Sequence, residues 1–199
     1  IVCKVTDLLN PLMKLIVTGA LFYKKENIKI KKNKNIIYFK DIISNNFSYT
    51  DTYCDSNDIA LLQYTGGTTG KSKAAVLTHK NLLSNVQQVY NWIKPHVNEG
   101  EEIIITALPM YHIFSFTVNC LTFLKIGSEN VLIANPRDLK SFLKVLEKKK
   151  FTVLTAVNTL FNLLLTSSRF KKINFKNFKV SVGGGMAVLS ETAKKWKKI

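Results

Sequence analysis

Arginine is almost missing from this chain. Of its 29 basic side chains, Arg137 and Arg169 are the arginines; the rest are lysines, set against 13 acidic residues, for a formal net charge of +16. A positive excess of that size invites a nucleic-acid or anionic-membrane reading. The shortage of guanidinium groups argues against a nucleic-acid module, because phosphate forks and base edges are read largely by arginine. The lysines are also spread through every segment, among asparagines and isoleucines, which describes solvated faces rather than a binding stripe. No nucleic-acid partner is expected. Cysteine is scarce as well: Cys3, Cys54 and Cys120 stand far apart and are odd in number. They support neither a disulfide framework nor a zinc site. His79, His96 and His112 show no metal-ligand spacing, so no protein-held metal is expected in this chain. A long apolar run is lacking too. The longest, Leu8 to Tyr23, carries Pro11 and Lys14 and falls short of the roughly 20 residues that a spanning helix needs. It reads as a packed helix, with an interfacial one left open.

What is there is globular. Apolar residues make up 46% of 199 residues, enough for a real core. No signal peptide is visible, and the thiols fit a reducing, cytoplasmic setting. Ile1 in place of Met and an amphipathic close at Ile199 read as a piece of a longer protein. The run "KKENIKIKKNKN" after Tyr23 reads as a surface connection. From Ile59 onward, short apolar runs alternate with helical patterns. "IALLQY" reads as a buried strand and "AAVLT" as an extended piece. Thr78 is placed to cap a helix that ends near Pro95. "IIITALP" reads as a strand and "FSFTVNCLTFLKIG" as a helix closed by Gly127; "NVLIA" is a strand, followed by a helix from Asp138 to Lys149. "FTVLTAV" and "FKVSVGGG" then read as strands, with helices at "NTLFNLLLTSS" and Leu189 to Ile199. Such alternation predicts a layered α/β domain with a largely parallel sheet.

The most specific stretch is "YTGGTTGKSK", Tyr64 to Lys73. Gly70, Lys71 and Ser72 imitate the end of a Walker loop, but the first glycine of that motif would have to stand where Thr65 does. A Walker loop also runs straight into a helix, whereas "KAAVLT" follows here. The chemistry still reads as anion binding. Gly66, Gly67 and Gly70 let backbone N–H groups turn inward, Thr65, Thr68 and Thr69 add hydroxyl donors, and Lys71 and Lys73 add charge. A polar turn between two strands would explain the glycines but not the three threonines.

The stretch "YTGGTTGKSKAAVLTHKNL" resembles the phosphate-loop signature of adenylate-forming enzymes. With "ALPMYHIFSFTVNCL", "NPRDL", "FTVLTAVNTLFNLLL" and "VSVGGGMAV" following in order, the chain is more closely similar to bacterial long-chain-fatty-acid–CoA ligases. The resemblance implies the central part of that large N-terminal domain, with layered sheets and flanking helices. Residues 58–199 would form its ATP/AMP-binding core segment and 1–57 a weakly matched part, with the small C-terminal domain absent. The implied substrates are ATP, a long-chain fatty acid and CoA, with Mg²⁺ held by a glutamate outside this chain. The implied setting is cytoplasmic, with peripheral contact at the inner membrane face left open. Thr65, Gly66, Gly67, Thr68, Thr69, Gly70 and Lys73 would hold the phosphates. His112 would lie by the substrate carboxylate and α-phosphate, Phe116 at the acyl path, and Gly184, Gly185 and Met186 beside the adenine. Lys73 matches the signature lysine and Lys71 a variable position. Two departures stand out: Ala74 replaces the usual glycine, and Met186–Ala187 the usual Met-Pro. Ala74 would crowd the loop if its backbone took φ > 0. A P-loop ATPase or kinase, and a basic binding module, are the alternatives. These 199 residues alone are expected not to turn over ATP and fatty acid.

Overall fold

The computed structural model describes residues 1–25, 30, 35–44, 51–65 and 72–199. The chain divides into two compact units, Ile1–Tyr53 and Cys54–Ile199. The first holds α1 (Pro11–Tyr23) and α2 (Phe39–Ser44), with a parallel bridge between Val2 and Tyr38. Pro11 opens α1 at a position where no backbone N–H is needed, and the Asn10 side chain caps it by accepting from the Met13 N–H at 2.8 Å. The sequence predicts a packed helix here, yet no side chain of α1 is buried. Its apolar residues point in all directions, and Leu12, Leu15, Ile16 and Phe22 stay exposed.

The second unit carries the alternating pattern. A two-stranded antiparallel hairpin, β1 (Ile59–Thr65) and β2 (Lys73–Thr78), leads into α3 (His79–Ile93). Next come β3 (Ile103–Thr106), then α4 (Ile113–Ser115), which runs through a π-helix (Phe116–Thr122) into α5 (Phe123–Lys125). After these follow β4 (Glu129–Leu132), α6 (Leu139–Lys148), β5 (Val153–Ala156), α7 (Asn158–Thr166), β6 (Val180–Gly183) and α8 (Ser190–Trp196). β3 to β6 form one parallel sheet in the order β4-β3-β5-β6.

Strand alternation explains why that sheet is buried on both faces. Ile105, Leu154 and Ala156 point one way, into a cluster with Phe142, Leu146, Phe161 and Leu164 of α6 and α7. Ile104 and Val153 point the other way, against Ile93 of α3, Val118 and Phe123. Helices cover both sides, as parallel strands require. Trp196 anchors α8 by stacking on Phe170 and donating its indole N–H to Ser181 Oγ at 2.7 Å. The hairpin differs from the expectation of a buried strand. It belongs to a separate sheet, and Ile59, Leu62 and Val76 are at least half exposed.

Candidate functional site

Parallel strands place loops at their C-terminal ends, the edge where α/β sheets take ligands. Two of the segments singled out in the sequence leave the sheet there. β3 ends at Thr106 and runs on to His112; β6 ends at Gly183 and runs on to Met186.

The third segment is the hairpin. Thr65 ends β1 and Lys73 begins β2, and the two are cross-strand partners in register. The Thr65 hydroxyl donates to the Lys73 carbonyl at 3.5 Å. Gly66, Gly67, Thr68, Thr69 and Gly70 lie outside the described residues. The stem therefore opens and closes the loop as an antiparallel pair. A Walker loop would lead into a helix, whereas here the chain returns as strand β2, and α3 starts only at His79. Thr78 caps α3 as the spacing predicts, accepting from the Asn81 N–H at 3.2 Å, while Asn81 Oδ1 accepts from the Thr78 N–H at 3.0 Å. Ala74 pairs with Tyr64 in β2, and Lys25 is the one non-glycine residue of positive φ among the described residues. The alanine therefore meets no backbone strain at that position.

His112 is the N-cap of α4. Its Nδ1 accepts from the Phe114 N–H at 3.2 Å, so the neutral ring carries its proton on Nε2. The imidazole is exposed, not a core residue. Phe116, half-buried, begins the π-helical turns.

Two contacts bring the three segments together. Gln63 of β1 donates from Nε2 to the Tyr111 carbonyl at 3.3 Å, tying the hairpin stem to the residue before His112. Phe114 lies flat against Gly184: a Cβ built there would meet the ring carbon Cζ at 2.7 Å. Only glycine lets the backbone approach an aromatic ring so closely. Gly185 has φ +76°, a left-handed turn that swings the chain away, and Met186 beyond it is exposed. Gln63 and Phe114 are the parts that sequence reasoning misses. Both sit beside recognised motifs, but a glutamine in a strand and a phenylalanine in an apolar run carry no distinguishing pattern.

Among the described residues no group of three or more His, Cys, Asp or Glu side chains gathers where a metal ion could sit. None of their helices is long and apolar enough to cross a membrane.

Comparison with known proteins gives this geometry a context. The AMP-binding enzyme family matches residues 6–199. The long-chain-fatty-acid–CoA ligase of Escherichia coli O6:H1 is 40% identical over 201 residues, spanning 100% of this chain and 36% of the relative. That of Yersinia pestis is 48% identical over 141 residues, 71% of this chain and 25% of the relative. Among solved structures, the fatty acyl-adenylate ligase from L. pneumophila in complex with acyl adenylate and pyrophosphate aligns with a TM-score of 0.65 at 26% identity. It covers 75% of this chain and 27% of its own. ATP-bound MatB from Rhodopseudomonas palustris aligns with a TM-score of 0.64 at 26% identity, covering 76% and 29%. The chain thus spans about a third of the length of the curated relatives it matches.

Proposed function

The chain belongs to the AMP-binding enzyme family, and from that premise we propose that it serves an ATP-dependent acid–thiol ligase acting on long-chain fatty acids. In the first half-reaction a fatty carboxylate oxygen attacks the α-phosphorus of ATP. The bond to the bridging oxygen breaks, pyrophosphate leaves, and an acyl-adenylate remains. In the second, the CoA thiolate attacks the acyl carbon and AMP leaves. The observation that carries the reading is the likeness to long-chain-fatty-acid–CoA ligases over the full chain.

The first half-reaction sets a carboxylate beside a triphosphate, so like charges must be brought together. Oriented N–H groups and lysine ammonium groups answer that need. The loop from Thr65 to Lys73 would grip the β- and γ-phosphates and release pyrophosphate. The antiparallel stem supports this by aiming both ends of the loop from a fixed register. Lys73 is exposed at the first position of β2. Among the described residues no carboxylate pairs with its ammonium. His112, with its proton on Nε2, would donate to an oxygen of the carboxylate or α-phosphate. Gly184 to Met186 would lie along the adenine, and Phe116 would border the acyl path. Mg²⁺ has no fitting carboxylate cluster among the described residues, and none of these roles depends on one. A cytoplasmic setting suits these substrates, and the exposed apolar side chains of α1 support peripheral contact with a membrane face.

The test is fatty-acid-dependent ATP–pyrophosphate exchange in the full-length protein, with palmitate set against acetate, malonate and coumarate. Exchange with palmitate is expected, and Lys73→Met should lower it on the order of a hundredfold, the loss typical of removing one charge-stabilising donor. Exchange with a short or aromatic acid but not with palmitate would overturn the substrate class. Full activity in Lys73→Met would overturn the role of the loop.

A further inference from the structure

The π-helical segment is the least ordinary part of the fold, and π-turns inside helices concentrate at functional sites. Phe116–Thr122 carries Asn119 as its one amide side chain, beside Thr117 and Thr122, and that side chain has no exposure to solvent. Its amide Nδ2 donates to Thr106 Oγ1 at 2.8 Å and to Thr155 Oγ1 at 2.8 Å. The Thr155 hydroxyl also lies 2.9 Å from Asn119 Oδ1. Asn130 of β4 closes the set, donating to the Asn119 carbonyl and accepting from Thr106 Oγ1.

The strands place these partners deliberately with respect to the sheet edge. Ile104 and Thr106 share one face of β3, and Val153 and Thr155 share the same face of β5. That face is apolar toward its middle and turns to hydroxyls at the C-terminal edge. A buried asparagine is tolerable only where such partners meet it. Ser115, also fully buried, donates to the Leu108 carbonyl at 3.1 Å and binds the helix start to the loop that leads to His112.

The geometry points to Asn119 as a positioning residue that holds the His112 segment and the glycine segment in fixed relation. Thr106 is the last residue of β3, from which the chain runs to His112. Thr155 is paired with Val182 and precedes Ala156, whose carbonyl accepts from the Gly184 N–H at 3.3 Å. One amide thus grips the end of β3, from which the His112 segment leaves, and β5, the strand against which β6 and the glycine segment pair. The Phe114–Gly184 contact joins the two segments again further out. The inference rests on the ligase reading for what the two segments do, but the clamp itself is a property of the fold.

The variants are Asn119→Ala, which removes the clamp, and Thr155→Val, which removes one arm at nearly constant shape and keeps the test readable if the first fails to fold. Thr155→Ser, which keeps the hydroxyl, is the control. All are made in the full-length protein. Hydrogen exchange without substrate should quicken about tenfold at the Phe114 and Gly184 amides together in Thr155→Val, with α6 amides unchanged and Thr155→Ser near wild type. The turnover number for acyl-adenylate formation should fall by roughly tenfold to a hundredfold, as small misplacements of reacting groups do. In a His112→Ala background the same change should cost clearly less, because the part of its effect that passes through His112 is already lost. Exchange that quickens uniformly, or at only one of the two amides, overturns the clamp, as do losses that simply multiply with His112→Ala. A wild type that releases no pyrophosphate with fatty acid overturns the ligase reading instead, and the exchange measurement then still decides the clamp.

Discussion

Glu102 is the one fully buried charged side chain among the described residues, and it sits at the start of β3, at the end of the sheet away from the site. Burial pushes its carboxyl upward. The Asn98 N–H, the Lys179 ammonium and the Thr152 hydroxyl outweigh that and hold it below the usual carboxylate range. Oε1 accepts from both Asn98 N and Lys179 Nζ at 2.6 Å. A folded carboxyl titrating below its unfolded value of about 4.3 contributes stability that is fully present above that value and is lost as pH falls through the lower folded one. Glu102→Gln should therefore flatten the acid limb of a urea-midpoint profile taken from about pH 7 to about pH 3. Lys179→Met should cost about 1.5–3 kcal/mol near neutrality, the range for a hydrogen bond to a charged group, and should flatten the acid limb as well, because the folded carboxyl then titrates closer to its unfolded value. An acid limb unchanged in both variants would contradict this account. Gly184 shows the same economy of space at the other end: no side chain fits there while Phe114 stays in place.

α3 and the hairpin feeding it are held by local rules. The reciprocal bonds between Thr78 and Asn81 close the N-terminus of α3 directly after β2 ends. Thr78→Ala should destabilise this junction by about 1 kcal/mol, while Thr78→Ser should restore most of it. Hydrogen exchange of the first α3 amides would check it, and equal protection in all three proteins would speak against the cap. The candidate site was legible in the sequence to the same degree that it is local. The Thr65–Lys73 motif, the Thr78 cap and the glycines after β6 follow from residues adjacent in the chain. Gln63, Phe114 and Asn119 act through partners 48, 70 and 36 positions away, at Tyr111, Gly184 and Thr155 respectively. Asn119 did leave a trace, as the one amide in a largely apolar helical run, but nothing nearby says which strands it meets.

Within Cys54–Ile199 the parallel sheet carries the core, and the hairpin contributes little buried area. All four residues of β5 are buried, with Val153 and Leu154 on opposite faces. Leu154→Ala should cost about 2–5 kcal/mol through lost packing and a cavity. Leu62→Ala in the half-exposed strand β1 should cost about 1 kcal/mol or less. Denaturant midpoints of the two variants would separate them, and equal shifts would place the core elsewhere.

The order of strands and helices and the parallel character of the sheet could be read from the chain of residues, as could the Thr65–Lys73 motif on which the phosphate-loop proposal rests. Hydrophobic period, capping residues and glycine placement act over a few positions, and each leaves a pattern. Three other outcomes came only with folding: a separate, exposed hairpin where a buried strand was expected, an apolar α1 left uncovered, and one buried asparagine joining two strand ends. Burial and hydrogen-bond satisfaction are decided by what arrives from elsewhere in the chain, and the nearest neighbours of a residue carry no record of that.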